Sequence, residues 1–142
     1  MRLYSEVTLR QEQTGGNSGA QSSTLVIRAL AIGEMKPSDW WRVFGRESGI
    51  GVSIGLVLGG VGFLRAWFVG DDPNMGLAIT VATSILAVCT LGTTMGSLLP
   101  LAIRRLGFDP AVSSTPFIAS LVDVLGLVIY FSVAGLVFSL AF

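Results

Sequence analysis

The sequence predicts an all-α fold, a polytopic integral membrane bundle of about four transmembrane helices, and three observations carry that prediction. Of 142 residues, 51% are hydrophobic and only 13% charged, with a mean hydropathy of +0.72, far from the balance of a soluble domain of this size. Three apolar runs reach the length of about 20 residues that crosses a hydrocarbon core, and short segments of Gly, Pro and charge separate them. The basic residues of those segments are distributed unequally between the two ends of the helices, as in proteins that retain Lys and Arg on the cytoplasmic side.

Residues 1–13 read as a polar N-terminal tail, in which Arg2 and Arg10 balance Glu6 and Glu12. No apolar run there has the form of a signal peptide, so membrane targeting falls to the internal helices. Residues 14–142 read as one transmembrane domain. Its first helix is expected from Asn17 to about Ile32, opened by Gly15-Gly16-Asn17 and ended by Gly33 and Pro37. That helix carries Asn17, Gln21, Ser22, Ser23, Thr24 and Arg28, so lipid alone cannot surround it, and protein or water has to cover its polar face. Arg28 closes this face either as a partner for a loop acid or lipid phosphate or, the favoured reading, as a surface anchor.

The second helix is expected from about Ser48 to Val69, ending in the turn Gly70-Asp71-Asp72-Pro73, whose acids suit a turn better than a metal site. Gly51, Gly55, Gly59 and Gly62, spaced 4, 4 and 3, make a smooth face on which another helix backbone can pack closely. Arg65 near the end of this helix snorkels to the interface. The third helix runs from about Met75 to Leu99, with Pro100 bending its end and Arg104-Arg105 closing it at the membrane surface. Its Thr80, Thr83, Thr90, Thr94 and Ser97 fall in one stripe. Two readings stay open: a polar wall opposite an acid on another helix, or hydroxyls bonded to their own backbone or across a helix contact.

The last helix is expected after Asp109-Pro110, an N-cap and first-turn pair, and runs on to Phe142. The segment from Gly33 to Glu47 holds Lys36, Arg42 and Arg46, and the one near Leu106 holds Arg104 and Arg105. With both on the cytoplasmic side, the C-terminus lies outside the cytoplasm. Trp40 and Trp41 mark one interface and Trp67 the other.

Asp123 is the one acid deep in any of these spans, flanked by Ile118, Leu121, Val122, Val124, Leu125 and Leu127. A central Asp costs about 2.5–3.5 kcal/mol on insertion scales, so it faces a bundle interior or a water-filled path. Helical periodicity places Val112, Thr115, Ala119, Gly126 and Tyr130 on its face. The alternative is a neutral or hydrogen-bonded Asp that serves as packing glue.

Several function classes drop out. The net charge is zero and the basic residues are scattered, so no positive stripe suits nucleic acid. There is no histidine and Cys89 stands alone, which removes intrachain disulfides, Cys/His zinc sites and His-based catalysis. Any metal ion must meet oxygen. No nucleophile and base sit together at a recognisable spacing, so the chain does not read as an enzyme.

The run Gly-Gly-Asn-Ser-Gly-Ala-Gln-Ser-Ser-Thr-Leu-Val-Ile-Arg-Ala-Leu-Ala, from Gly15 to Ala31, resembles the second transmembrane helix of MgtE-type magnesium transporters. The run Phe-Asp-Pro-Ala-Val-Ser-Ser-Thr-Pro-Phe-Ile-Ala-Ser-Leu-Val-Asp-Val-Leu-Gly-Leu-Val-Ile-Tyr-Phe, from Phe108 to Phe131, resembles the fifth. The resemblance implies a homodimeric, magnesium-selective pore on a two-fold axis in a bacterial-type inner membrane, lined by the last helix of each subunit. It implies that Asp123 is the central ion-binding acid, that Thr115 and Ala119 face the pore, and that Asp109 lies near the cytoplasmic entrance. Gly16 and Asn17 match the second helix where it flanks the pore. The chain departs from many members in having Ala20 where they have a second Asn, and from some in having Thr115 where they have Asn.

The family's N-terminal domain, its paired CBS domain and its first transmembrane helix find no match before Thr14, so the resemblance implies four of five helices. A partner chain that supplies the first helix or a regulatory domain is one expectation. Magnesium sheds its waters reluctantly, so a conducting site should attract the hydrated ion with few direct ligands. Two Asp123 carboxylates across a dimer axis would meet that need. The rivals are a proton-coupled carrier, in which Asp123 loads and releases a proton, and a non-conducting assembly subunit.

Overall fold

The computed structural model describes residues 2–68, 74–112 and 115–141, with side chains described for 16–68, 74–111, 116–137 and 139. Four long helices account for most of them: α1 (Arg2–Ala31), α2 (Trp40–Phe68), α3 (Met75–Arg105) and α4 (Thr115–Ala141). Single turns of 3-10 helix, Pro37–Asp39 and Pro110–Val112, precede α2 and α4, and no strand occurs among the described residues. The all-α membrane bundle is therefore the fold. Three helical segments are long and apolar enough to cross a membrane, Pro37–Phe68, Met75–Arg105 and Pro116–Val137, with mean hydropathies of 1.7, 1.9 and 2.2. Leu56, Val57, Val61 and Leu64 on α2, and Val124, Val128 and Phe131 on α4, point outward, as lipid-facing residues of a membrane protein do.

The helix α1 does not begin at Asn17. It runs unbroken from Arg2 through Gly15, Gly16 and Asn17. Two consecutive glycines cost about 1 kcal/mol each in a helix but do not block it, and no proline precedes them to force a start. Its other end is as expected: Gly33 takes a left-handed φ of 76°, and its amide still reaches back to the Leu30 carbonyl, which terminates the helix without strain because glycine has no Cβ. The helix α3 ends the same way at Gly107 (φ 87°), where Phe108 N–H donates to Ile103 and Gly107 N–H to Arg104, the paired bonds of a Schellman motif. Its start is capped by Asn74, whose Oδ1 accepts the Leu77 amide at 3.1 Å. Pro100 lies inside α3, buried, and the helix continues past it to Arg105.

The helix α2 also starts earlier than hydropathy alone implies, at Trp40, because Pro37 opens a turn into it and Asp39 takes the Lys36 amide at 2.9 Å. Asp109 and Pro110 do not cap α4. The Asp109 carboxylate accepts the Ala111 amide at 2.9 Å, an Asx turn that opens the short 3-10 segment instead, and α4 begins at Thr115. The turn proposed at Gly70-Asp71-Asp72-Pro73 falls outside the described residues.

The helix α3 is the centre of the bundle and packs against each of the other three. Its contact with α2 is set by glycine. Gly51, Gly55 and Gly59 are buried, and a Cβ built on each would meet α3 main chain: Thr90 Cα at 2.6 Å, Leu86 Cα at 2.8 Å and the Ala82 carbonyl at 2.8 Å. Each step of four up α2 is matched by a step of four down α3, the signature of two antiparallel helices in close backbone contact. Gly62 sits at the side of this seam, facing the Ile85 and Val81 side chains.

Candidate functional site

The polar helix α1 solves its solvation problem by wedging against both α3 and α4. Gly16, Gly19, Ser22, Ser23, Val26 and Leu30 are buried, while Asn17, Gln21, Thr24 and Arg28 stay exposed along the opposite face. Small residues permit the wedge. Gly96 of α3 lies directly on the Gly19 backbone, and a Cβ on Gly19 would meet the Gly92 carbonyl at 2.9 Å and a Val122 methyl at 3.3 Å. Near the 3-10 turn, Val26 and Leu30 join Val43 and Leu101 in a buried apolar cluster.

One turn before Gly19, Gly16 meets Asp123. A Cβ at Gly16 would fall onto the Asp123 carboxylate, 3.0 Å from Cγ and 3.1 Å from Oδ2 and nearer still to Oδ1. Asp123 stands in the ninth position of α4, roughly 12 Å along its axis, half-buried at the edge of the α1–α4 contact. Oδ1 is itself buried and has no hydrogen-bond partner among the described residues. A carboxylate oxygen in that position carries an unmet demand for a cation, a proton or an ordered water.

The structure sorts the remaining sequence-derived residues. Ala119, one turn before Asp123, is half-buried, so Gly16, Ala119 and Asp123 fall in one region, whereas Asn17 is exposed on the other face of α1. Gly126 and Tyr130, assigned by periodicity to the same face, are buried, and a Cβ on Gly126 would meet the Val88 methyls of α3 at 3.3 and 3.6 Å. They belong to the packing side of α4. Asp109 is exposed beyond the start of α4 and is not brought to Asp123. The side chains of Val112 and Thr115 lie outside the described residues.

Three hydroxyls of the α3 stripe take the backbone reading, while the Ser97 Oγ is buried with no hydrogen-bond partner among the described residues. Thr80, Thr83 and Thr90 donate to the carbonyls of Gly76, Ile79 and Leu86 at 2.7, 2.7 and 2.8 Å, the back-bonding that hides a hydroxyl in an apolar medium. Thr94 pairs with Ser48 of α2 at 3.3 Å. Thr83, Thr90 and Thr94 line an apolar groove between α2 and α3 and not a wall opposite Asp123.

Glu47 is the residue that sequence reasoning missed. Its carboxylate accepts the Ser22 hydroxyl of α1 at 2.9 Å, and its carbonyl accepts Thr93 of α3 at 3.0 Å, so one residue of α2 ties three helices together. Its place among the basic residues before Ser48 made it look like part of a solvated loop. The signal was available in Pro37 and Asp39, which open the turn into α2 well before Ser48.

No three acidic or sulfur side chains converge as a metal cluster among the described residues. The profile of the MgtE family, a divalent cation transporter family, matches residues 12–133. The magnesium transporter MgtE of Thermus thermophilus is 46% identical over 123 residues, covering 87% of this chain and 27% of that protein. Magnesium transporters MgtE of Enterococcus faecalis and Bacillus subtilis are 37% and 35% identical over 125 and 119 residues, covering 87% and 84% of this chain and 27% and 26% of theirs. The chain spans about a quarter of the length of these relatives.

Proposed function

The chain belongs to the MgtE family of divalent cation transporters, and from that premise we propose that it passes hydrated Mg²⁺ across a bacterial-type inner membrane through a pore between two copies. The observation that carries the proposal is the juxtaposition on α1 and α4. The buried Oδ1 of Asp123, unpartnered among the described residues, lies against Gly16 of α1, and the opposite face of that helix leaves Asn17, Gln21, Thr24 and Arg28 exposed. In a bilayer both the carboxylate and the polar face need water or protein against them, and a two-fold partner supplies both, with a wet path between the copies.

Asp123 is the group that attracts the ion. Two carboxylates, one per copy, meet the charge of the dication while its tightly held waters remain as the inner shell. With no Cβ at Gly16, α1 packs directly against the carboxylate and still leaves it only half-buried. Ala119, Thr115, Val112 and Asn17 extend the lining away from it, and Asp109 lies near the cytoplasmic entrance. In this orientation the C-terminus lies outside the cytoplasm.

The test is Mg²⁺ flux into liposomes containing the chain, compared with Asp123→Ala and Asp123→Asn. Loss of flux in both is expected, while wild-type flux in Asp123→Ala defeats the proposal. Flux that requires a pH gradient would replace the channel with a proton-coupled carrier, and dimers that pass no ion would leave an assembly subunit.

A further inference from the structure

Away from the proposed pore, the turn between α1 and α2 holds a second polar site. A cavity of about 400 Å³ opens there, lined by Glu34, Asp39, Arg42 and Arg46 around Met35 and Val43. Arg42 and Arg46 are one turn apart, so their guanidiniums leave α2 on the same side. Among the described residues none of the four charges reaches an oppositely charged side chain at ion-pair distance, and the Asp39 carboxylate takes the Lys36 backbone amide. Two cationic and two anionic groups therefore border one cavity without neutralising one another directly.

Its depth in the bilayer follows from helix length. The 29 residues of α2 extend roughly 44 Å, against a hydrocarbon core of about 30 Å. Counting about 20 residues back from Phe68 places the core boundary near Ser48, which leaves Arg42 and Arg46 in the headgroup layer. Trp41 is 79% exposed and packs edge to face on Phe44, with centroids 6.0 Å apart. Such an aromatic pair rests at the boundary of acyl chain and headgroup.

We propose that this cavity binds the headgroup of an amine-bearing zwitterionic phospholipid, its phosphodiester on Arg42 and Arg46 and its ammonium on Glu34 and Asp39. The fork of arginine donors suits phosphate oxygens, and the two carboxylates accept hydrogen bonds from a primary ammonium. The charge count selects the lipid. An anionic glycerol headgroup brings nothing to offset Glu34 and Asp39 and meets their repulsion. A choline headgroup has no N–H to donate to them. This site does not depend on whether the chain conducts.

The test is lipid retention by the purified chain in micelles that hold equal amounts of phosphatidylethanolamine, phosphatidylglycerol and phosphatidylcholine, read by native mass spectrometry. Retention of phosphatidylethanolamine by about tenfold over the other two is expected. R42Q/R46Q should lose that retention. E34Q/D39N should keep a bound phospholipid but turn the preference to phosphatidylglycerol, a reversal that misfolding does not produce. Equal retention of the three lipids, an unchanged preference in R42Q/R46Q, or displacement of the lipid by inorganic phosphate would overturn the assignment.

Discussion

Gly16→Ala puts the proposed site to its most direct test, because it adds one methyl group beside the carboxylate and no charge. The new Cβ would stand 3.0 Å from Asp123 Cγ and 3.1 Å from Oδ2, whereas non-bonded carbon contacts settle at about 3.5–4.0 Å. The carboxylate must therefore withdraw by roughly 0.5–1 Å. The helix α1 cannot yield instead, since Gly19 already lies on the Gly92 and Gly96 backbone of α3. Overpacking costs about 1–3 kcal/mol, offset by the helix propensity of alanine over glycine, about 1 kcal/mol. The fold should survive with a net loss of about 0–2 kcal/mol.

The effect on the ion is larger than the effect on the fold. At an effective dielectric constant of about 20, drawing one carboxylate back from about 4 to about 5 Å of a dication forfeits about 1.7 kcal/mol, and about 3.3 kcal/mol when both copies carry the change. That corresponds to a drop in occupancy of about two hundredfold. Mg²⁺ influx into liposomes, measured with a magnesium-sensitive dye below saturation, should fall by about that factor, with helix content by circular dichroism unchanged. Gly60→Ala is the matched control, since nothing lies within 4 Å of its added Cβ. Wild-type influx in folded Gly16→Ala would refute the idea that Asp123 at this position draws the ion in.

Other perturbations test the framework around the site. Gly55→Ala and Gly59→Ala should each destabilise the α2–α3 pair by about 1–3 kcal/mol, since both meet α3 main chain, whereas Gly60→Ala should be neutral or stabilising; thermal unfolding in detergent distinguishes them, and equal midpoints would contradict the seam. Glu47→Ala should cost about 1.5–3 kcal/mol by removing a charged acceptor from Ser22, and Glu47→Gln, which keeps an acceptor oxygen, should restore much of it in the same assay. Asn74→Ala should cost about 1 kcal/mol through loss of the α3 cap, visible as faster amide exchange at Leu77 with flux unaltered.

What the sequence determined by itself is the part of the structure that each segment settles with its solvent. The apolar spans, the glycine end at Gly33, and the Gly51, Gly55 and Gly59 packing face were legible because transfer into lipid, backbone strain and side-chain size are local properties. Asp123 was legible for the same reason: an acid within an apolar run is costly wherever the run packs. Only the tertiary structure decided which side each helix turns to its neighbours. It brought Gly16 to Asp123 from opposite ends of the chain, tied three helices at Glu47, carried α1 back through two glycines to Arg2, turned Gly126 towards Val88 of α3 and bonded the α3 threonines to their own backbone. The physical reason is that a helix satisfies its own backbone at any rotation about its axis. Which face meets which is then settled by close packing between helices, an interaction that no single segment contains.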